Sequence, residues 1–236
     1  MNLVLLPDSA FTSANQAVIR DPRQLEQLHR VRKLEPGDRI LMGRLDGPMG
    51  EARVNRVSRE QIQLHIEQYR EPPCALPVIL VLALPRPQQL KRILQTLASA
   101  GVKELHLIHS RRVEKSYWQS PQLTEAAIRE QLWLGLEQGG DTQMPRVELH
   151  RRFRGFAEDS LPHLMHNRLA LLAHPYDSQP CPARVREHTL LMVGPEGGFN
   201  DFEVELLRTQ GLQPVHLGER ILKTETAIPF LLGRLF

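Results

Sequence analysis

The sequence predicts an α/β chain, with a small β-rich unit followed by a parallel sheet covered by helices. Three observations predict it. From residue 78 onward, short apolar runs alternate with helical stretches, the rhythm of a parallel sheet covered on both faces. Before residue 70 the segments are shorter, and several alternate polar and apolar residues as half-buried strands do. Between the two, Glu71-Pro72-Pro73-Cys74-Ala75-Leu76-Pro77 holds three prolines in six residues, which excludes a helix or a central strand. The expected boundary therefore divides residues 1–72 from residues 73–236.

In the first part, Leu3-Val4-Leu5-Leu6 and Ala17-Val18-Ile19-Arg20 read as strands. Asp21-Pro22 opens a helix to about Leu34, with proline at the tolerated first position. Glu35-Pro36-Gly37-Asp38 turns the chain into Arg39-Ile40-Leu41-Met42, and two alternating strands follow, 51–57 and 61–66. Many short strands with one helix suggest a small β-barrel. In the second part, 78–84 is a continuous apolar strand, followed by a helix over 88–100 that stops at Gly101. Strands at 105–108, 147–149, 169–173, 190–193 and 214–217 alternate with helices at 121–138, 155–167, 200–210 and 224–236.

Composition narrows the function classes. Hydrophobic residues make up 41% of the 236, and no apolar run reaches the length of a membrane span. The first residues lack the basic flank and long apolar core of a secretion signal. Cys74 and Cys181 are far apart, with neither disulfide-framework nor metal-ligand spacing, so a reducing cytoplasm is expected and a metal is not. The net charge of +3 permits nucleic-acid binding through local patches without demanding it.

The most informative stretch is GPEGGF at 194–199, where an apolar strand leaves through three glycines and a proline around one carboxylate. Asn200 then provides an N-cap, with Glu203 three residues on. The loop lacks both the Lys-Ser/Thr of a Walker loop and the G-x-G-x-x-G spacing of a dinucleotide fold. LGERILKTETA at 217–227 repeats the arrangement: a strand ends at a glycine and a helix follows, with Thr224 as its expected N-cap. Two such loops in a parallel sheet can form two walls of one pocket.

Together, GPEGGF and LGxRILxTETA resemble the SPOUT-class RNA methyltransferases, specifically the bacterial 16S rRNA uracil-N3 methyltransferases. The resemblance covers nearly the whole chain. HRVRKLEPGD at 29–38 is similar to that family's PUA-like RNA-binding domain, ILQTLASAGVKEL at 93–105 to its first helix and second strand, and Glu137-Gln138 to a recurring pair. What the resemblance implies is a C-terminal SPOUT domain with a deep trefoil knot, a homodimer formed through it, and S-adenosylmethionine bound in a bent conformation. The glycines then let backbone lie against adenine and ribose, where a Cβ would intrude.

The residues expected at the cofactor are Gly194, Pro195, Glu196, Gly197 and Gly198 from the first loop, and Leu217, Gly218, Ile221, Leu222 and Thr224 from the second. The strand end Leu172-Ala173-His174 is the expected third wall, with His174 at its rim. Arg220 is the candidate cation that favours the uracil anion once N3 loses its proton; the alternative is an ion pair with Glu196 or Glu219. Glu196 is either the base or a holder of loop amides. Candidate contacts to 16S rRNA are Arg30, Arg32 and Lys33, then Arg111 and Arg112, then Arg151, Arg152 and Arg154 around Phe153, an aromatic suited to base stacking. The competing readings are a non-catalytic RNA-binding or ribosome-assembly module on the same fold, and an enzyme holding a nucleotide cofactor in the glycine loop.

Overall fold

The computed structural model describes residues 2–236 and divides them into two compact units. One comprises the chain up to Cys74 together with Leu132–Met144; the other comprises Ala75–Gln131 and Pro145–Phe236.

The first unit is built on a six-stranded sheet. Its strands are β1 (Val4–Leu6), β2 (Phe11–Ser13), β3 (Gln16–Ile19), β4 (Arg39–Arg44), β5 (Met49–Val57) and β6 (Ile62–Arg70), in the order β1-β4-β5-β6-β3-β2. Only β1 and β4 run parallel; the other neighbours are antiparallel. Alternation places Ala52 and Val54 of β5 and Ile62, Leu64 and Ile66 of β6 in one core with Leu6, Ile19 and Met42. The expected helix from Asp21 is shorter than its sequence suggests. Helix α1 covers Pro22–Gln27, capped by the Asp21 carboxylate on the Gln24 amide, and a wider turn over Leu28–Arg32 ends at Lys33 in the left-handed conformation. Strand β2, a three-residue edge strand, has no signal in the sequence.

Residues 132–144 join this unit through a buried carboxylate. Gln24 Nε2 donates to Glu137 Oε1 at 2.7 Å, and Arg23 Nη1 lies 2.7 Å from Oε2. The Glu137 carbonyl accepts from the amides of both Asn2 and Leu3, at 3.0 Å each. Gln24 Nε2 also donates to the Leu5 carbonyl, so one side chain ties the first strand to Glu137. The boundary read from the prolines thus leaves out a segment that packs with the first sheet.

The second unit carries seven parallel strands: β7 (Val78–Ala83), β8 (Glu104–Ile108), β9 (Arg146–His150), β10 (Leu169–Ala173), β11 (Gln179–Pro180), β12 (Thr189–Val193) and β13 (Gln213–His216). Their order is β11-β13-β10-β12-β7-β8-β9. Every residue of β7 and of β12 is buried, as expected for central strands covered on both sides. Helices α2 (Pro87–Ser99), α6 (Asp201–Thr209) and α7 (Thr224–Leu235) are long enough to bury amphipathic faces, whereas α4 (Phe153–Gly155) and α5 (Leu161–Met165) flank an irregular turn; α3 (Glu125–Gly139) begins in this unit and from Leu132 onward belongs to the first. Helix α3 starts at Glu125 rather than Pro121, because Pro121–Leu123 forms a separate tight turn. Lys223, not Thr224, is the N-cap of α7, and it makes no side-chain cap bond. No helix among the described residues is long and apolar enough to cross a membrane.

Replacing Glu137 by Ala removes the nearer carboxylate of the Arg23 guanidinium and leaves one buried Gln24 donor without an acceptor. It is expected to lower unfolding free energy by about 1–3 kcal/mol, measured by urea denaturation of the full chain.

Candidate functional site

The site follows from strand register. In the hydrogen-bonded ladders Ala173 of β10 stands opposite Val193 of β12 and Val215 of β13, so three parallel strands end at one level. Neighbouring strands lie about 4.8 Å apart, so the three departing loops are brought within roughly 10 Å of one another. A cleft of about 610 Å³ opens there, at the carboxyl end of the sheet, the place where such folds bind ligands. Ala173 and His174 line it from β10; Gly194 to Phe199 line it from the loop after β12; Ile221, Leu222, Thr224 and Ala227 line it from the segment that enters α7. A smaller adjoining pocket shares Ala173, His174, Ile221 and Leu222 and adds Leu217, Gly218 and Arg220.

The structure therefore brings together nearly all the residues expected at a cofactor. Leu172 is the exception. It is fully buried inside the sheet, because alternate residues of a strand face opposite ways, and it lines neither space.

Helix α6 begins at a capping box. Asn200 Oδ1 accepts from the Glu203 amide at 2.8 Å and Glu203 Oε2 accepts from the Asn200 amide at 3.0 Å. The other oxygen of this buried carboxylate accepts from the Arg111 amide at 2.7 Å, so Glu203 also fixes the loop after β8. Between strand and helix, Gly198 donates to the Pro195 carbonyl at 2.8 Å and adopts a left-handed φ of 70°. At Gly194 a Cβ would stand 3.2 Å from the Phe199 ring, and at Gly197 the same distance from Arg112 Cδ. A side chain at either glycine would therefore press on the loop's own neighbours, apart from any ligand that the sequence suggested. Gly218 differs: its φ is 110° and a Cβ there would meet nothing within 4 Å, so the backbone faces open space.

The charged residues take unequal parts. Glu196 Oε1 accepts from the Arg86 amide at 3.1 Å, and Arg86 is the N-cap of α2, where a carboxylate is favourable. This matches the holding of loop amides. Arg220 is exposed and pairs with neither Glu196 nor Glu219 among the described residues. Arg112 donates to the carbonyls of Gly197 and Phe199, a role in shaping the glycine loop that no sequence signal announced. Arg208 binds both the carboxylate and the carbonyl of Asp177, at 2.8 and 2.6 Å, and this pair closes one side of the cleft.

Of the other candidate RNA contacts, Arg30 pairs with Glu26, and it stands with Arg32 and Lys33 on the exposed turn after α1. The Arg151 guanidinium lies 5.2 Å over the Trp118 ring, and Arg154 is paired with Glu158. Arg111 and Arg152 have exposed side chains. Phe153 is 6.1 Å from Phe199, which sets the segment after β9 beside the glycine loop.

Residues 72–235 match the family model described as an RNA methyltransferase domain. The chain belongs to this family of RNA methyltransferases. The resemblance read from the two C-terminal motifs is thus borne out. This RNA methyltransferase is 29% identical over 233 residues to a ribosomal RNA small subunit methyltransferase E of Treponema pallidum, covering 96% of this chain and 87% of that relative. The protein of the same name from Synechocystis is 30% identical over 241 residues, covering 95% and 73%. A crystal structure of the ribosomal RNA small subunit methyltransferase E from Neisseria gonorrhoeae, bound to S-adenosyl methionine, superposes with a TM-score of 0.77. It covers 98% of this chain and 95% of that one at 21% identity, a likeness of fold.

Two measurements check the site's scaffold. Asn200→Ala is expected to lower stability by about 1 kcal/mol and Glu203→Ala by about 1–3 kcal/mol, since the second change also releases the Arg111 amide; urea denaturation reads both. His174 is held below its ordinary value of 6.5, first by burial and then by the nearby Arg208, with Asp177 and Asp201 opposing. The unfolded chain therefore binds the proton more readily, so this contribution to stability is full above pH 6.5 and falls as pH drops below it. His174→Gln is expected to flatten the stability curve below pH 6.5, read by thermal melts across pH.

Proposed function

We propose that this protein is an S-adenosylmethionine-dependent methyltransferase acting on N3 of a uridine in 16S ribosomal RNA. One observation carries the reading: three strand ends held level by the β10–β12–β13 ladders converge on a single cleft, two of whose walls are the family's glycine loops. The residues present suit the cofactor. Ala173, Leu222 and Ala227 offer small apolar surface for an adenine, and the open face of Gly218 allows a close backbone approach. Ile221 is 70% exposed at the mouth of both spaces, a large apolar surface left uncovered where a ligand would cover it. Four carboxylates against two guanidiniums line the cleft, which favours a cationic guest.

When bound, S-adenosylmethionine supplies the methyl group that is transferred. The chain supplies position and charge. Holding the acceptor nitrogen in line contributes up to about 7–11 kcal/mol in favourable cases. Arg220, exposed at the smaller pocket and without an ionic partner, is placed to stabilise the negative charge that uracil acquires when N3 gives up its proton. Glu196 acts through its bond to the Arg86 amide, which fixes the loop rather than moving a proton.

The same reading extends to the rest of the molecule. We assign the first unit as a PUA-like RNA-binding domain on its mixed six-stranded sheet and the exposed Arg30, Arg32 and Lys33. The segments at 111–112 and 151–154 extend the RNA surface of the second unit. A trefoil knot around the loop after β12 and the segment entering α7 fits their convergence on one cleft. A homodimer through this unit fits the 62% exposure of Phe230 on α7.

The test is mass spectrometry of nucleosides from 16S rRNA incubated with the protein and isotopically labelled cofactor. Label in 3-methyluridine supports the reading; no label, or label in another nucleoside, overturns it. Arg220→Ala is expected to bind the cofactor within a few-fold of the parent while losing about 100-fold or more in turnover, checked by calorimetry and single-turnover transfer. Binding to the RNA is expected to weaken steeply with salt.

A further inference from the structure

On the other flank of the large sheet, β9 is the edge strand and β8 its neighbour. The ladder sets His106 opposite Glu148, and the two-residue pleat puts Glu104 and His150 on the same face. His106 is buried, 3% exposed. Its Nδ1 lies 2.9 Å from His150 Nε2 and 3.5 Å from Glu148 Oε2, and the last two atoms are 3.6 Å apart. A point equidistant from three atoms so spaced lies about 2 Å from each, the length of a zinc bond to imidazole nitrogen or carboxylate oxygen. A hydrogen bond between the two rings accounts for one of these contacts. It does not account for a carboxylate oxygen converging on the same point.

The surroundings fit a ligand set. His106 Nε2 donates to Glu104 Oε1 at 2.9 Å, which keeps the proton on that nitrogen and turns the Nδ1 lone pair toward the cluster. A carboxylate behind a histidine in this way is the usual support of a metal-bound imidazole. Arg146 pairs with the other oxygen of Glu148, leaving Oε2 to the histidines. The buried Phe156 ring packs 4.7 Å from His150 and 6.2 Å from His106, drying one side. The His150 and Glu148 side chains are 19% and 34% exposed, so solvent reaches the remaining side. Among the described residues no other three His, Cys, Asp or Glu side chains converge in this way.

We propose that His106, Glu148 and His150 bind one divalent transition-metal ion of the zinc class, with Glu104 orienting His106 and an outer position left to water. Two imidazoles and one carboxylate are ligands that such ions accept. The ion cross-links the edge strand to the sheet and steadies the segment 151–154 that leaves it. The site is separate from the cleft, and its test does not depend on methyl transfer.

Untagged full-length protein, stripped with a chelator, is titrated with zinc chloride by calorimetry and with cobalt(II) by visible absorption. One equivalent is expected to bind, with cobalt bands of a four- or five-coordinate site. His150→Ala and Glu148→Ala are each expected to weaken binding by about 100-fold or more, and Glu104→Gln by about 10-fold. Far-ultraviolet circular dichroism of each metal-free variant shows whether it folds. If His150→Ala does not, Glu148→Gln, on the solvent side, reads the same quantity. The proposal is overturned if the parent takes up no saturable equivalent, or if uptake is unchanged in the folded variants and the ion therefore sits elsewhere.

Discussion

The second unit depends on the register of its parallel ladders. Hydrogen bonds between β10, β12 and β13 fix which residues stand opposite, and with them the level at which each strand stops. A shift of one residue would turn every side chain to the other face and move one wall of the cleft away from the others. The burial of all residues in β7 and β12 holds that register, because a slipped strand would expose apolar side chains on both faces. The cleft is a consequence of this levelling, and the loops supply its chemistry.

Around the cleft, polar residues act mostly on the backbone of the loops. Glu196 holds the Arg86 amide, Arg112 holds two carbonyls of the glycine loop, and Arg208 holds Asp177 at both its carboxylate and its carbonyl. Each is a charge-assisted bond, about twice as strong as a neutral one, between segments far apart in sequence. Bonds of this kind favour the observed loop shape before any ligand arrives. Arg220 stands apart from this framework, exposed and without an ion pair among the described residues.

Much of this was legible from the chain, for stated physical reasons. The alternation of apolar runs with helical stretches announced the parallel sheet. The two glycine loops announced the cleft, because strand, glycine and capping residue occur together at strand-to-helix turns. Asn200 and Glu203 were readable as a cap since both partners lie within four residues. What was not legible depends on register or on distant pairs. Leu172 and Ala173 are adjacent, and only the pleat decides that one faces the cleft and the other the core. The second bond of Glu203, to Arg111, spans 92 residues. His106 and Glu148 meet because β8 and β9 pair in one register, which no spacing rule reveals. The tie of residues 132–144 to the first sheet combines the buried Glu137 carboxylate and its carbonyl with bonds between Thr142 or Met144 and the turn at Asp46 and Gly47, all far from the proline-rich boundary.

Glu203 has a consequence of its own. A single carboxylate is the acceptor for amides from two loops, one entering α6 and the other following β8. Neither loop can swing outward while keeping its own acceptor unless the other follows, so the arginine-bearing segment and the glycine segment are mechanically one body. A glutamine at 203 would leave one acceptor oxygen to be shared between the two loops.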